Sequence, residues 1–177
     1  NQLIIHANIC FDDKVYKNLK QLNVTPINIK YDSNIITIPV LKNNKFVLII
    51  PSFNNEQWYT KNLDSVKNQT YKNWRIIYVD DNSSDATYEN VNKYINNNKL
   101  SDRATLIKND KNYKQGYSRH IAFNKCDDSE ICCLLDGDDW LYDENVLENL
   151  NKLYNDNDIL VSYGNYCTYE KTKINKE

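Results

Sequence analysis

Methionine is absent from all 177 residues, including the first, so we expect the chain to be an excerpt of a longer protein or a processed product. No apolar run approaches the roughly 20 residues that a membrane-spanning helix requires, so we expect no membrane span. The first six residues lack the basic segment and the apolar stretch of a signal peptide. A net charge of -2 gives no basic surplus, so we do not expect nucleic acid as a partner.

The five cysteines form neither a C-x-x-C pair nor a Cys/His group with zinc-site spacing. Cys132 and Cys133 are adjacent within a predicted strand, where their side chains should point to opposite faces. They cannot readily pair with each other. We therefore expect reduced, structurally inert cysteines and a cytoplasmic location.

Apolar runs alternate with segments of helical periodicity along most of the chain. The runs predict strands at 46–50, 74–79, 104–107, 131–135 and 159–161. Helical spacing predicts helices at 58–66, 88–95, 118–125 and 146–154. Ser84 or Asp85 should cap the second of these helices and Asp143 the fourth. The alternation indicates an α/β fold, with a mostly parallel sheet and helices on both faces.

A linker-like stretch, Lys42-Asn43-Asn44-Lys45, divides the chain into an N-terminal extension, residues 1–42, and a main domain, residues 43–177. The extension is predicted to be a strand–helix unit followed by extended pieces. Its elements are expected at 3–9, around 15–22, at 26–29 and at 35–40.

Polar residues follow three of the predicted strands, and five of them are aspartates. The polar stretches are Ser52-Phe53-Asn54, Asp80-Asp81-Asn82 and Asp136-Gly137-Asp138-Asp139. The carboxyl ends of strands in an open α/β sheet form its ligand-binding edge. Five carboxylates crowded there would repel one another without a cation, and Mg²⁺ or Mn²⁺ commonly bridges carboxylates to substrate phosphates. Each stretch alone is also typical of an ordinary turn, but the three in order favour a metal–diphosphate site.

These stretches resemble motifs of the GT-A glycosyltransferases of family 2, which transfer a sugar from a nucleotide-sugar with a divalent metal. Residues 46–54 look like the opening strand V-I-I-P-x-Y-N, with Phe in place of the usual Tyr. Residues 77–87 are similar to V-D-D-G-S-x-D-x-T, and residues 68–74 to the S-Q-T-Y-x-N-W segment before it. Residues 116–122 resemble the G…A-R-N-x-G stretch, and residues 134–140 match L-D-x-D-D, the D-x-D metal motif.

The resemblance extends from about residue 46 to residue 166 and implies a GT-A, Rossmann-like nucleotide-sugar-binding architecture. It implies a donor site formed by Pro51, Phe53, Asn54, Asp80, Asp81, Arg119, Asp136, Gly137 and Asp138. Pro51, Phe53 and Asp81 would line the base pocket, with Asp81 accepting a hydrogen bond from a uracil N–H. Asp80 would support that loop.

The resemblance also implies how the diphosphate end of the donor is held. Asp136 and Asp138 would hold the ribose and the metal, and Asp138 or Asp139 would contact Mn²⁺ or Mg²⁺ directly. Arg119 would approach the diphosphate, because a guanidinium suits phosphate oxygens.

The implied reaction is an inverting transfer of a sugar from a nucleotide-sugar, expected to be a UDP-sugar, to an acceptor hydroxyl on a glycan or a protein. The sequence does not identify the catalytic base: the family has it in an acceptor-binding half downstream of the D-x-D motif, and we expect that half to be truncated here. A non-catalytic nucleotide-sugar-binding module of a larger protein is the alternative. A sugar nucleotidyltransferase is disfavoured because no Gly-rich loop follows the strand that ends at Pro51.

The cysteine analysis leads to a direct test. Thiol titration of the denatured, unreduced protein should count five free thiols. Two or more missing thiols would contradict both the reduced state and the cytoplasmic location.

Overall fold

The structure is a computed structural model that describes residues 3–6, 26–31, 34–39, 42–156, 158–170 and 173–176. The strands in these ranges are β1 (Leu3–His6), β2 (Pro26–Tyr31), β3 (Asn34–Pro39), β4 (Lys45–Ser52), β5 (Trp74–Asp80), β6 (Ala104–Lys108), β7 (Glu130–Leu134), β8 (Cys167–Glu170) and β9 (Lys173–Lys176). The helices are α1 (Tyr59–Lys67), α2 (Thr87–Asn97), α3 (Lys114–Phe123) and α4 (Val146–Leu153).

Five strands form one parallel sheet in the order β1-β7-β4-β5-β6. Ser52 at the end of β4 is paired with Asp80 at the end of β5. The pairing with β7 continues past its last residue, because the Gly137 amide donates to the Pro51 carbonyl at 3.0 Å. The three polar stretches therefore leave the sheet at the same edge, as the sequence predicts.

Strand β4 is buried on both faces, and its side chains alternate between two cores. Phe46, Leu48 and Ile50 pack in a cluster with apolar residues of α1, α2 and α4. Val47 and Ile49 pack on the other face, in a cluster that includes α3. Helices cover both faces of the sheet, which confirms the predicted fold class.

An aspartate lies shortly before each of two helices and accepts hydrogen bonds near the start of that helix. Asp85 accepts hydrogen bonds from the amide and the hydroxyl of Thr87, where α2 begins. Asp143 accepts from the Asn145 amide at 2.8 Å, one residue before α4. Neither aspartate is the N-cap residue, because Ala86 directly precedes α2 and Asn145 directly precedes α4, and neither position makes a side-chain capping hydrogen bond. The caps predicted at Ser84 or Asp85 and at Asp143 are therefore wrong: Asp85 and Asp143 each bind an amide two residues further on, in the turn that leads into the helix.

Two elements of the main domain differ from prediction. No strand forms at 159–161: Ile159 packs against the core, but Leu160 and Val161 are 67% and 63% exposed, so the triplet lacks the burial of the predicted strand. Helix α3 begins at Lys114, four residues earlier than predicted, because contacts with Asp81 hold its first turn. The β8–β9 hairpin was not predicted.

The extension is described only in part. Strand β1 joins the main sheet beside β7, and β2 and β3 form an antiparallel hairpin at the two predicted extended pieces. The helix predicted around 15–22 lies outside the described residues. None of the helices in the described ranges is long and apolar enough to cross a bilayer.

The cysteines in the described ranges carry no disulfide: Cys126, Cys132, Cys133 and Cys167 are free thiols. Cys132 belongs to the α3 side of the sheet and Cys133 to the opposite side, as predicted. Cys10 lies outside the described residues.

A buried carboxylate ties the strands together at the amino end of the sheet. Glu130 accepts hydrogen bonds from the Arg75 guanidinium at 2.6 and 2.7 Å, and Lys45 Nζ lies 2.8 Å from it. Burial favours the neutral acid, but the hydrogen bonds from Arg75 and Lys45 outweigh it and lower the pKa of Glu130 to about 2. One carboxylate thus links β4, β5 and β7 electrostatically.

We expect Glu130→Gln to lower the free energy of unfolding by about 2–4 kcal/mol at pH 7, because Arg75 loses its buried partner. The folded pKa lies below the unfolded value of about 4.3, so the stabilisation is complete above that value and is lost as the pH falls towards 2. Urea denaturation should show a smaller difference in stability between wild type and variant at pH 3 than at pH 7, with part of the difference remaining at pH 3. Glu148→Gln, which removes an exposed pair with Lys152, is the control and should cost less than about 0.5 kcal/mol. Equal losses for the two variants would contradict the assignment.

Candidate functional site

A cleft of about 150 Å³ lies at the carboxyl ends of β4, β5 and β7. Its lining comprises Pro51, Ser52, Phe53, Asn55, Asp81, Gln115, Ser118, Asp136 and Asp138. The structure thus brings five of the predicted site residues to one cleft. The remaining predicted residues surround it without lining it, and each is described below.

The floor of the cleft is a close contact between β4 and the loop after β7. Ser52 Oγ accepts hydrogen bonds from the Tyr78 hydroxyl at 2.8 Å and from Asn55 Nδ2 at 3.1 Å. A Cβ atom at Gly137 would lie 2.7 Å from both Ser52 Oγ and Asn55 Nδ2. Only glycine therefore lets this loop lie so close to β4, which explains Gly137 without a ligand contact.

The end of β4 and the loop after it contribute apolar residues to the cleft, and hydrogen bonds join this loop to the loop after β5. Phe53 is 45% exposed at the cleft, beside Pro51. Asn54, with φ 55°, is not among the residues that line the cleft, and its side-chain oxygen accepts a hydrogen bond from the Ser84 amide at 2.8 Å. The Asn54 amide in turn donates to Ser83 Oγ at 2.9 Å. Asn54 thus holds the loop after β4 against the loop after β5.

Asp81 is buried, and protein donors occupy both of its carboxylate oxygens. Oδ1 accepts from Asn109 Nδ2 at 2.7 Å and from the Tyr113 amide at 2.9 Å, and Oδ2 accepts from the Lys114 amide at 2.7 Å. These bonds hold the first turn of α3, where Lys114 has a φ of 73°. This turn is followed by the cleft residues Gln115 and Ser118, which sequence reasoning missed because a long-range contact places them.

Asp80 lies behind the cleft and is fully buried. Its Oδ2 accepts from the Ser83 amide at 3.1 Å, whereas Oδ1 has no hydrogen-bond partner in the described part of the chain. Its backbone carbonyl accepts from the Asn109 amide. This position agrees with a supporting role for Asp80 in the loop after β5.

The acidic loop after β7 carries the exposed carboxylates of the site. Arg119 donates to Asp136 Oδ1 at 2.7 Å, so the guanidinium expected at a diphosphate is paired with a carboxylate here. Asp138 is exposed at the cleft, and Asp139 is half-buried beside it. The expected repulsion among five carboxylates is reduced by the protein itself, because neutral N–H groups stabilise the charge of Asp81 and the Arg119 guanidinium offsets that of Asp136.

The residues of the cleft suit a metal site that the substrate helps to form better than one formed by protein ligands alone. Within the ranges that the structure describes, no three His, Cys, Asp or Glu side chains gather closely enough to hold a metal ion. Mg²⁺ and Mn²⁺ sites at phosphates, however, commonly use only one or two carboxylates, with the substrate supplying further oxygens. Asp136 and Asp138, which share the cleft, fit that arrangement.

An aromatic cluster lies directly after the acidic loop. The Trp140 ring stacks on Trp58 with centroids 6.0 Å apart, and Tyr169 of β8 meets the Trp140 ring edge-on at 5.2 Å. Lys61 Nζ lies 4.7 Å from the Trp140 centroid and 3.8 Å from that of Tyr169. The cluster joins α1, the acidic loop and the β8–β9 hairpin.

The family model for glycosyl transferase family 2 matches residues 47–176. The UDP-Glc:alpha-D-GlcNAc-diphosphoundecaprenol beta-1,3-glucosyltransferase of Escherichia coli is 32% identical over 67% of this chain and 44% of its own length. Glycosyltransferase GlyA of Streptococcus pneumoniae is 28% identical over 76% of this chain, which spans only 18% of that relative.

Solved structures agree with these sequence matches. Staphylococcus aureus TarS in complex with UDP-GlcNAc superposes with a TM-score of 0.54 at 28% identity, over 60% of this chain and 30% of that one. The mannosyltransferase PcManGT of Pyrobaculum calidifontis, in complex with GDP-Man and Mn²⁺, has a TM-score of 0.55 over 82% of this chain and 39% of its own. At 16% identity, that likeness concerns the fold alone.

The family match covers most of the chain, and it includes β4, β5 and β7 with the loops that form the cleft. Its structural neighbours share the GT-A architecture. The chain therefore belongs to glycosyl transferase family 2.

Proposed function

We propose that the cleft binds a UDP-sugar together with Mn²⁺ or Mg²⁺, and that the whole protein transfers the sugar to an acceptor hydroxyl with inversion. The observation that carries the proposal is the cleft itself, which has an apolar wall at Phe53 and an acidic rim at Asp136 and Asp138. The relatives support UDP, since TarS is described in complex with UDP-GlcNAc and the E. coli relative is named for UDP-Glc.

The nucleoside would lie between Phe53 and Asp81. Phe53 offers a half-exposed ring on which a base can stack, beside Pro51. Three donors already bind the Asp81 carboxylate, which has about four lone-pair positions, so one further donor such as a uracil N–H can be accepted. Asp81 would thus serve the base and the first turn of α3 at once.

The diphosphate would lie along the acidic loop. Asp138, assisted by Asp136 or Asp139, would hold the cation, which supplies Lewis-acid neutralisation of the charge on the leaving nucleoside diphosphate. Arg119 would share its guanidinium between Asp136 and a phosphate oxygen, because its five N–H groups exceed what one carboxylate oxygen uses. The rim alone would repel a diphosphate, and the cation and Arg119 offset that repulsion.

The acceptor, the catalytic base and the cellular location are further parts of the proposal. The chain spans 18% and 44% of the two curated relatives described above, so the acceptor, the catalytic base and the linkage concern the whole protein. We place the activity in the cytoplasm, where the free thiols would remain reduced.

Binding of UDP should require the cation. Calorimetric titration with UDP is expected to show binding with Mn²⁺ and little or none with EDTA, because the acidic rim repels an unbridged diphosphate. Asp138→Asn should weaken binding with Mn²⁺ at least tenfold, or about 1.4 kcal/mol.

The matched control for that variant is Asp128→Asn, which changes an exposed aspartate just before β7, at the opposite end of the sheet. It should bind UDP as the wild type does. A tenfold loss in Asp139→Asn with none in Asp138→Asn would move the metal contact to Asp139. Equal binding heat with EDTA and with Mn²⁺ would contradict the proposal.

Removal of the Phe53 ring should weaken the binding of the nucleoside part of UDP and leave the cation requirement unchanged. Phe53→Ala is expected to lower UDP affinity about five- to a hundredfold, since stacking of a base on an aromatic ring contributes about 1–3 kcal/mol. Phe53→Tyr should bind as the wild type does, and the Mn²⁺ requirement should persist in both variants. Tyr163→Ala changes a side chain that is 86% exposed and does not line the cleft, so it serves as the control. Unchanged affinity in Phe53→Ala would remove Phe53 from the base site.

A further inference from the structure

One side of α1 and of the turn after it carries polar side chains that are turned into the protein. They are Asn62, Ser65 and Gln69, spaced three and four residues apart, and Asn62 and Gln69 have no exposed surface. All three hydrogen-bond to the backbone of residues 136–147, the segment from the acidic loop to the start of α4. The helix thus contacts the acidic loop through buried hydrogen bonds.

Asn62 hydrogen-bonds to the part of this segment that carries the carboxylates. Its Nδ2 donates to the backbone carbonyl of Asp136 at 3.0 Å and to that of Asp139 at 2.8 Å. These two carbonyls lie on either side of Asp138, and the Asp139 amide closes the turn by donating to the Asp136 carbonyl at 3.0 Å. Both N–H groups of one amide therefore fix a turn of four residues from the helix side.

The opposite side of the turn is fixed as well. The Gly137 amide donates to the Pro51 carbonyl, and no Cβ would fit at Gly137 against Ser52. The turn is consequently held between β4 and α1, and the direction of the Asp138 side chain follows from the position of both supports. Loss of either support allows the backbone under Asp138 to shift.

Stability alone does not account for an asparagine at this position. The Asn62 Oδ1 atom is buried and has no hydrogen-bond partner in the described part of the chain, which costs about 1–3 kcal/mol. A leucine, which has the same branched shape but is larger, would avoid that cost beside its neighbours Leu63 and Val66, but it would leave the two carbonyls without Nδ2. Because the two effects oppose each other, the fold as a whole gains little from Asn62.

We infer that Asn62 is a positioning residue for the metal–diphosphate end of the donor site: it sets the orientation of the turn that carries Asp136 and Asp138. This inference rests on the proposed function. Asn62 itself need not touch donor or cation, and its effect on them passes through the backbone of the acidic loop.

Gln69 provides a contrasting role on the same side of the molecule. Its Nε2 donates to the carbonyls of Ser65 and Asp143, and its Oε1 accepts from the Leu147 amide at 2.9 Å. Its side-chain oxygen and nitrogen both have partners, and those partners outside α1 lie beyond the acidic turn, near α4. Gln69 therefore stabilises the fold without supporting the carboxylates directly.

The test compares Asn62→Leu with Gln69→Leu, two substitutions of fully buried amides. UDP titration with Mn²⁺ should be carried out well below the Tm of each variant, so that all the proteins are folded. Asn62→Leu is expected to weaken binding at least tenfold with a small change in Tm. Gln69→Leu should lower Tm by several degrees and leave the affinity within twofold of wild type. Wild-type affinity in Asn62→Leu, or equal losses in both variants, would overturn the inference.

A measurement without ligand separates this inference from the proposed function. Hydrogen exchange of the Asp139 amide, which closes the turn, should be at least tenfold faster in Asn62→Leu than in wild type and unchanged in Gln69→Leu. If wild type failed to bind UDP with Mn²⁺, the proposed function would fall, while faster exchange would still show Asn62 fixing the turn. Equal exchange in wild type and Asn62→Leu would overturn the positioning role whatever the protein binds.

Discussion

Strand β4 is paired in parallel with β5 on one side and β7 on the other, and this pairing brings together the three polar loops of the cleft. Because the three strands run in the same direction, their carboxyl ends meet at one edge, and the loops that leave them cannot avoid one another. The pairing with β7 even continues as far as Gly137, so the acidic loop begins as an extension of the sheet. The buried Glu130 cluster fastens the same three strands at the other edge, which leaves the cleft edge available for polar groups that add little to stability.

Many of the polar groups around the cleft hold the backbone. Asp81 binds two successive amides at the start of α3, Asn54 joins two loops, and Asn62 spans the acidic turn. Of these three side chains Asp81 and Asn62 are buried, whereas Asn54 is exposed. A side chain that binds backbone amides or carbonyls fixes the course of the loop itself, and its hydrogen bonds are strongest where they are shielded from water. A loop-built site acquires in this way the rigidity that an element of secondary structure would otherwise give it.

The sequence predicted those parts of the molecule that depend on local pattern. Strands β4, β5 and β7 are continuous apolar runs that end in polar residues, and the structure places their ends together as expected. The apolar triplet at 159–161 is too short to distinguish a strand from an exposed loop, and the prediction there was wrong. The early start of α3 and the cleft position of Gln115 depend on Asp81, a partner more than thirty residues away, which local periodicity cannot reveal. Likewise, five aspartates in the sequence suggested uncompensated charge, and the donors that balance Asp81 and Asp136 became visible only in three dimensions.

The ion pair between Arg119 and Asp136 bears on how the binding of a cation and that of a diphosphate would be coupled. With one Asp136 oxygen engaged and both Asp81 oxygens occupied, the cleft offers a bare cation an incomplete coordination shell. A diphosphate without a cation would instead be repelled by the carboxylates of the same rim. Under the proposed function each ligand supplies what the other lacks, so their affinities are linked and each raises the other by the same factor. The fraction of clefts that hold nucleotide would then depend on the concentration of free cation as well as on that of the nucleotide, whichever of the two binds first.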